Sequence, residues 1–220
     1  MKHSITGTLL FQGDSITDAF RRPEELNDTY RMGNGYAFII ASLLRAISGQ
    51  LGLSIQNRGV SGHNAGDLLF RWHRDCLELR PDTLSLLIGI NNVNQAVHAK
   101  TDALPDFARD FDAILAQTKA TLPSCRIILI EPFSLPVGIN GPALMQQVAP
   151  IQAHVRAAAT RIGATLVPTQ DAFNAVAGNH PERWIYDGLH PTAAGQWILA
   201  QRWLDIVTGI KLPSPQVMAQ

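Results

Sequence analysis

A chain of 220 residues with 46% hydrophobic and 16% charged residues has the composition of a globular protein with one large core. Its 18 basic and 18 acidic side chains cancel, so the charge favours no nucleic acid partner. No apolar run approaches the roughly 18 residues of a membrane span. The two cysteines, Cys76 and Cys125, are too few for a disulfide framework or a metal cluster.

Short apolar runs alternate with longer amphipathic segments along the chain, which is the pattern of parallel strands joined by helices. The predicted strands are Thr8–Gln12, Ser54–Asn57, Leu84–Ile88, Arg126–Ile130 and Thr165–Pro168. The predicted helices are Tyr36–Gly49, Asn64–Glu78, Leu104–Leu122, Pro142–Ile162, Thr169–Ala177 and Thr192–Thr208. Several strand runs are apolar throughout, as expected when helices cover both faces of a sheet. The predicted fold class is α/β, a three-layer α/β/α sandwich with a parallel five-stranded sheet.

The chain shows no internal repeat, low-complexity tract or linker-like change of composition. We therefore expect one domain over residues 1–220, with a loose tail from about Pro213. The first strand begins about seven residues from Met1, which leaves no room for a signal peptide. The expected location is cytoplasmic, unless a leader precedes this sequence.

Polar groups follow three of the predicted strands, where an open parallel sheet binds its ligands. Gly13-Asp14-Ser15 follows the first strand, Asn57-Arg58-Gly59-Val60-Ser61-Gly62 includes the end of the second, and Gly89-Ile90-Asn91-Asn92 follows the third. A further polar segment, Asp187-Gly188-Leu189-His190-Pro191, precedes the last helix. These residue types are the components of a serine hydrolase.

Ser15, His190 and Asp187 are the candidate catalytic residues. A serine hydroxyl needs a base during attack, and a neutral imidazole such as His190 is well suited to that role. The imidazole needs an acceptor on its other nitrogen, and a carboxylate three residues earlier, Asp187, can reach it. Each residue alone is more often a turn, cap or core residue, so the prediction depends on the combination.

Attack on an ester creates a negative oxygen, which must meet hydrogen-bond donors that are already in place. The candidate donors are the backbone N–H groups of Ser15 and Gly59 and the side-chain amide of Asn91. Gly59 offers a backbone amide without a side chain in the way. The alternative is that Gly59 is a turn glycine and that Asn91 satisfies local backbone groups.

Four blocks together resemble the SGNH (GDSL) hydrolases and occur in the family order: Gly13-Asp14-Ser15-Ile16-Thr17, Asn57-x-Gly59-x-Ser61-Gly62, Gly89-x-Asn91 and Asp187-x-x-His190. The resemblance runs from about residue 8 to 205. It implies a flavodoxin-like α/β/α fold (the SGNH hydrolase fold), no metal or organic cofactor, Ser15 as nucleophile, an oxyanion hole completed by Gly59 and Asn91, and a triad completed by Asp187 and His190. Gly33-Asn34-Gly35-Tyr36, Asp67-Leu68 and Arg71-Trp72 are similar to the acetylxylan esterase group.

The third block departs from the family pattern, because Asn92 stands where an aspartate is expected. An amide can donate a hydrogen bond where a carboxylate only accepts, so the electrostatics of this loop should differ. The donor at Asn91 is kept. We interpret Asn92 as a structural substitution.

Three aromatic residues near the blocks, Trp72, Trp184 and Tyr186, are candidate substrate-binding residues, together with Asp14. Sugar rings stack well on aromatic faces. The alternative for these aromatic side chains is packing under a loop.

The sequence thus predicts a serine esterase that removes small acyl groups, in the first place acetyl, from a carbohydrate such as a xylo-oligosaccharide. A thioesterase or lysophospholipase could use the same site and would need a longer apolar acyl channel. A metal-dependent phosphoryl-transfer enzyme is disfavoured, because position 16 is Ile and the third strand ends in amides. A sugar-binding protein without activity is disfavoured by the intact Ser, Asp and His. A homo-oligomer is possible, since residues such as Phe133 could line either a cleft or a subunit contact.

Overall fold

Five parallel strands form one sheet in a computed structural model that describes residues 5–48 and 52–213. They are β1 (Thr8–Gly13), β2 (Ser54–Asn57), β3 (Thr83–Leu87), β4 (Arg126–Ile130) and β5 (Thr165–Val167), in the order β2-β1-β3-β4-β5. All neighbouring pairs are parallel. The predicted strands are confirmed, with ends shifted by at most one residue.

Helices cover both faces of this sheet. They are α1 (Ser15–Asp18), α2 (Asp28–Met32), α3 (Tyr36–Ser48), α4 (Ala65–Trp72), α5 (Ile90–Ala99), α6 (Leu104–Thr121), α7 (Gly141–Ile162), α8 (Gln170–Ala177) and α9 (Ala193–Thr208). Helix α9 packs against α3 and α8, while α4, α5, α6 and α7 pack among themselves. The predicted three-layer sandwich is therefore confirmed. The predicted helix end at Gly49 and the predicted loose tail after Pro213 lie outside the described residues.

Three helices were not among the predicted elements: α1, α2 and α5. Helix α5 begins Ile-Asn-Asn and carries polar residues along most of its length, so its intrinsic helix propensity is low. The sequence predicts a single helix over residues 64–78. In the structure Asn64 caps α4, and the chain continues after Trp72 as a π-helical turn, His73–Leu77.

Aromatic side chains contribute to the core on both sides of the sheet. Phe11 of β1 contacts Tyr36 of α3 edge-on at a centroid distance of 5.7 Å and Trp203 of α9 at 5.8 Å. In the other helical layer, Phe107 and Phe111 of α6 stack at 4.9 Å. No helix in the described part of the chain is long and apolar enough to span a bilayer.

The strand order brings the predicted blocks together. The chain passes from β1 to β2 on one side and then crosses to β3 on the other side of β1. Gly13 at the end of β1 pairs with Leu87 at the end of β3, and Phe11 pairs with Asn57 at the end of β2. The segments after all three strands therefore meet at one edge, which is where ligands bind in open α/β sheets.

Candidate functional site

Ser15 is presented by a tight turn between β1 and α1. The Asp14 side chain caps α1, because its Oδ1 accepts the Ile16 N–H at 3.0 Å. Gly13 allows the close approach of β3, since a Cβ there would lie 2.3 Å from the Leu87 carbonyl oxygen. Ser15 is the first helical residue and is half-buried. Its hydroxyl thus lies at the carboxyl edge of the sheet.

His190 and Asp187 complete a hydrogen-bonded chain with this serine. The Ser15 Oγ lies 2.8 Å from His190 Nε2, and His190 Nδ1 lies 2.7 Å from Asp187 Oδ2. The other carboxylate oxygen of Asp187 accepts the backbone N–H groups of Leu189 and His190 at 2.9 and 2.7 Å. The structure brings together all three predicted catalytic residues from distant parts of the chain.

The loop that carries His190 is closed on itself. Ile185 and Pro191 form an antiparallel bridge, the Tyr186 N–H donates to the His190 carbonyl at 3.1 Å, and the Thr192 N–H donates to the Trp184 carbonyl at 2.9 Å. These bonds fix the backbone on both sides of the imidazole, so its position follows from the fold.

The two carboxyl groups beside Ser15 have opposite electrostatic environments. Burial would raise the pKa of Asp187, but hydrogen bonds from the backbone and imidazole of His190 and from Leu189 hold that pKa below its usual value. Burial raises the pKa of Asp14 to about 7, although the Ile16 N–H and the charge of His190 act in the opposite direction. Asp187 is therefore an anion at neutral pH, while Asp14 titrates there.

The predicted oxyanion donors need one correction, at Gly59. Its N–H donates to Asn57 Oδ1 at 2.9 Å, and the residue is buried against α1, where a Cβ would lie 2.4 Å from the Asp18 nitrogen. The prediction for Gly59 is wrong because its only proton is already used. Gly62, three residues later, lines the cleft at Ser15 instead. The Ser-Gly pair at the end of the same block is the sequence signal that could have pointed to it.

Gly62, Ser15 and Asn91 offer the donors at the cleft. Neither the Ser15 N–H nor the Gly62 N–H has an acceptor among the described residues. Asn91 also lines the cleft, and its Nδ2 uses one of two protons on the His63 carbonyl at 3.0 Å. Three residues that line the cleft thus each keep an N–H group free of an acceptor among the described residues.

Asn92 has a structural contact. Its side chain is buried, and its Oδ1 accepts the Ala65 N–H at the start of α4 at 3.0 Å. A carboxylate oxygen would accept the same bond, so the amide can replace it here. This contact supports the interpretation of Asn92 as a structural substitution.

Arg71 is a buried support beneath the site. Its guanidinium donates to the carbonyl oxygens of Gly13 and Arg58 at 3.0 and 2.9 Å and to Gln12 Oε1 at 2.9 Å. It also forms an ion pair with Asp75 at 3.2 Å. The arginine thereby ties the end of β1 to the loop that follows β2. The sequence could not reveal this role, since only the fold places these carbonyls together.

The prediction of substrate binding is wrong for three of the four residues, because they are buried. Trp72 is fully buried and its indole N–H donates to Thr118 Oγ1 at 3.0 Å. Trp184 is 4% exposed and belongs to the hydrophobic core. Asp14 is fully buried. Tyr186, in contrast, is 57% exposed, lines the cleft and stacks on the His190 ring at a centroid distance of 5.6 Å.

The cleft above Ser15 has a volume of about 730 Å³. Its walls come from α1 and the turn after it, the loop after β2, α5, and the His190 loop with the start of α9. Within residues 5–48 and 52–213, no three His, Cys, Asp or Glu side chains form a group that could hold a metal ion.

A parallel α/β/α sandwich with Ser, His and Asp in contact at its carboxyl edge is typical of the SGNH hydrolases. The sequence pattern of the GDSL-like lipase/acylhydrolase family matches residues 11–198. The chain belongs to this family.

Named relatives agree with this assignment. An acetylxylan esterase of Geobacillus stearothermophilus is 34% identical over 213 residues, which cover 93% of this chain and 95% of the relative. The solved structure of a mutant of an acetyl-xylooligosaccharide esterase from Geobacillus superposes on this protein with a TM-score of 0.85 at 30% identity. The match covers 97% of this chain and 100% of that one. The protein is therefore a carboxylic ester hydrolase.

Three catalytic mutants of the Geobacillus stearothermophilus acetylxylan esterase also match this fold. In them a serine, an aspartate or a histidine is replaced by alanine. Their TM-scores are 0.83 to 0.84 at 29% to 30% identity, covering 94% to 97% of this chain and 97% to 100% of theirs.

Proposed function

We propose that this protein is an acetyl esterase that deacetylates carbohydrates such as xylo-oligosaccharides through an acyl-enzyme on Ser15. The single observation that carries the proposal is the hydrogen-bonded chain from the Ser15 hydroxyl through His190 to Asp187. The names of the relatives, which refer to acetylxylan and acetyl-xylooligosaccharides, support the choice of substrate.

The first half of the reaction forms the acyl-enzyme. His190 Nε2 takes the proton of the Ser15 hydroxyl as the oxygen attacks the ester carbonyl carbon. The carbonyl oxygen becomes an anion, which the N–H groups of Ser15, Gly62 and Asn91 bind. The imidazolium is stabilised by the Asp187 carboxylate and then protonates the sugar oxygen, which leaves as an alcohol.

The second half of the reaction returns the enzyme to its starting state. A water molecule loses a proton to His190 Nε2 and attacks the acetyl carbonyl carbon. The same donors bind the second oxyanion. Ser15 then leaves as the alcohol by taking the proton from His190, and acetate is released.

A substrate series tests this proposal. Acetate release from acetylated xylo-oligosaccharides is measured for the wild type and for Ser15→Ala, and p-nitrophenyl esters from acetyl to decanoyl are compared. We expect kcat/KM to be highest for acetyl and to fall along the series, with Ser15→Ala inactive on all substrates. A maximum at octanoyl or decanoyl would contradict the proposal and favour a lysophospholipase or thioesterase. Equal rates of ester hydrolysis for the wild type and Ser15→Ala would refute the assignment of Ser15 as the nucleophile.

A further inference from the structure

The turn after α1 holds two consecutive residues in the left-handed region. Ala19 has φ 45° and ψ 49°, and Phe20 has φ 60°. Neither residue is glycine, so each carries a Cβ that is unfavourable in this conformation. Strained positions of this kind cluster at functional sites, because only surrounding structure can maintain them.

The surroundings fix this turn from two sides. The Ala19 carbonyl accepts the Asn34 N–H at 2.9 Å, and Gly33 lies so close that a Cβ there would be 2.6 Å from the same carbonyl oxygen. Arg21 forms an ion pair with Asp18 at 3.2 Å and donates to the Gly59 carbonyl at 2.6 Å. The left-handed conformation is therefore built into the fold.

The Phe20 side chain packs little against the rest of the folded protein. Its side chain is 83% exposed, and it makes no ring–ring contact with any described residue. It lines the same cleft as Ser15 and Tyr186. The sequence thus keeps a large apolar ring at the cleft in a strained backbone, although the ring contributes little packing to the folded protein.

We propose that Phe20 is a wall of the subsite for the alcohol half of the ester, where its ring binds the face of a sugar. This inference rests on the proposed function. With the acetyl carbonyl at the Ser15 hydroxyl and the leaving oxygen at His190, the sugar must extend into the remainder of the cleft. Phe20 and Tyr186 are the exposed aromatic side chains among its described lining residues. An acetyl group is too small to use them, whereas sugar rings stack on such faces.

The test compares acetylated xylotriose with ethyl acetate, whose alcohol is too small to cover an aromatic ring. The measured quantity is the ratio of kcat/KM for the two substrates. In Phe20→Ala this ratio should fall about five- to tenfold, mainly through KM for the sugar ester, as expected for loss of one aromatic contact. Phe20→Trp should restore it. Phe70→Ala is the matched control, because Phe70 is 94% exposed on α4 but does not line the cleft, and it should leave the ratio unchanged.

A second variant tests the backbone. Phe20→Gly also lacks the ring, so its ratio should equal that of Phe20→Ala, but it should unfold at a higher temperature than Phe20→Ala, because glycine tolerates a positive φ. An unfolding temperature no higher than that of Phe20→Ala would overturn the strain argument.

The outcomes separate this inference from the proposed function. If the wild type cleaves ethyl acetate but no acetylated xylotriose, the proposed substrate is wrong and the Phe20 subsite falls with it. If the wild type deacetylates xylotriose and Phe20→Ala keeps the wild-type ratio, the subsite alone is overturned. If Phe20→Ala sediments more slowly than the wild type while its ratio of kcat/KM values is unchanged, Phe20 lies at a contact between copies of the chain. This result also overturns the subsite.

Discussion

Asp14 is a carboxyl group that lies fully buried beside the proposed nucleophile, and its Oδ2 has no hydrogen-bond partner among the described residues. Its pKa is about 7 in the folded protein, against an ordinary value of 3.8. Between these values the unfolded chain is ionised while the folded chain holds a proton. Unfolding therefore releases a proton, and this group makes the protein less stable as the pH rises from about 4 to about 7.

Asp14→Asn should remove that pH dependence. An asparagine Oδ1 can still accept the Ile16 N–H, so the cap of α1 is kept. We expect the free energy of unfolding of Asp14→Asn, relative to wild type, to increase by at least about 1 kcal/mol between pH 4 and pH 8, measured by urea denaturation. Asp171→Asn, at an exposed aspartate of α8, is the control and should show no such trend. A parallel pH profile for Asp14→Asn and wild type would refute a titrating Asp14.

The hydrogen bonds of Arg71 beneath the site should depend on the forked shape of its guanidinium group. Lysine keeps the charge but cannot donate to several carbonyls in a forked arrangement. We expect Arg71→Lys to lower the free energy of unfolding by about 2 kcal/mol, because buried acceptors lose their donors. Arg74→Lys is the matched control, since Arg74 pairs with the same Asp75 from an exposed position, and it should have no measurable effect. Equal unfolding midpoints for the two variants would contradict the argument.

At the scale of residues, the sequence predicted the groups that depend on local order. Asp187 and His190 lie three residues apart, and Ser15 follows directly on a strand, so their types and spacing could be read from the chain. The prediction that the Gly59 N–H binds the oxyanion was wrong, because that N–H donates to Asn57 Oδ1 and only the three-dimensional structure shows this contact. The ring of Phe20 gave no signal, because a single exposed aromatic residue in a loop fits no pattern.

Helix α5 ends at a residue whose conformation can be tested directly. Lys100 has φ 56° and ψ 44°, and its N–H donates to the carbonyls of Ala96 and Val97. Both Lys100→Gly and Lys100→Ala remove the charge, but only glycine relieves the left-handed backbone. We expect Lys100→Gly to be more stable than Lys100→Ala by about 1 kcal/mol in urea denaturation.

The same pair of substitutions at a second lysine, Lys119, should give the opposite order of stability. Lys119 lies in the last turn of α6 with an ordinary helical backbone. Here alanine should be more stable than glycine by about 1 kcal/mol. The same order of stability at both positions would contradict the role given to the cap of α5.

At the scale of elements, apolar patterning predicted all five strands and the long helices. Helices α1 and α2 could not be predicted, because four or five residues contain too few apolar positions to show a period. Helix α5 is long enough to show a period, but the polar residues at its start give it a weak helix propensity. It forms because tertiary contacts override that propensity. Asn64 and Thr192 mark helix starts correctly, since each side chain caps a backbone N–H.

At the scale of the whole molecule, the sheet order converts four separate blocks into one site. The alternation of strands and helices predicted a parallel sheet, and the general rule for such sheets predicted which edge binds the ligand. The relative order of the strands was not predicted, because composition and periodicity do not encode it. The depth of Trp72 and Trp184 depends on that packing, which is why both were wrongly predicted to meet the substrate.

The central claim is that Ser15 is a nucleophile activated by His190. Its most direct test is labelling by a fluorophosphonate probe, with the modified residue identified by mass spectrometry. We expect labelling at Ser15 in the wild type, none in Ser15→Ala, and a rate at least about a hundredfold lower in His190→Ala. Ser61→Ala, which alters another cleft serine, should label at the wild-type rate. Labelling of Ser15→Ala at the wild-type rate, or of His190→Ala as fast as the wild type, would contradict the account.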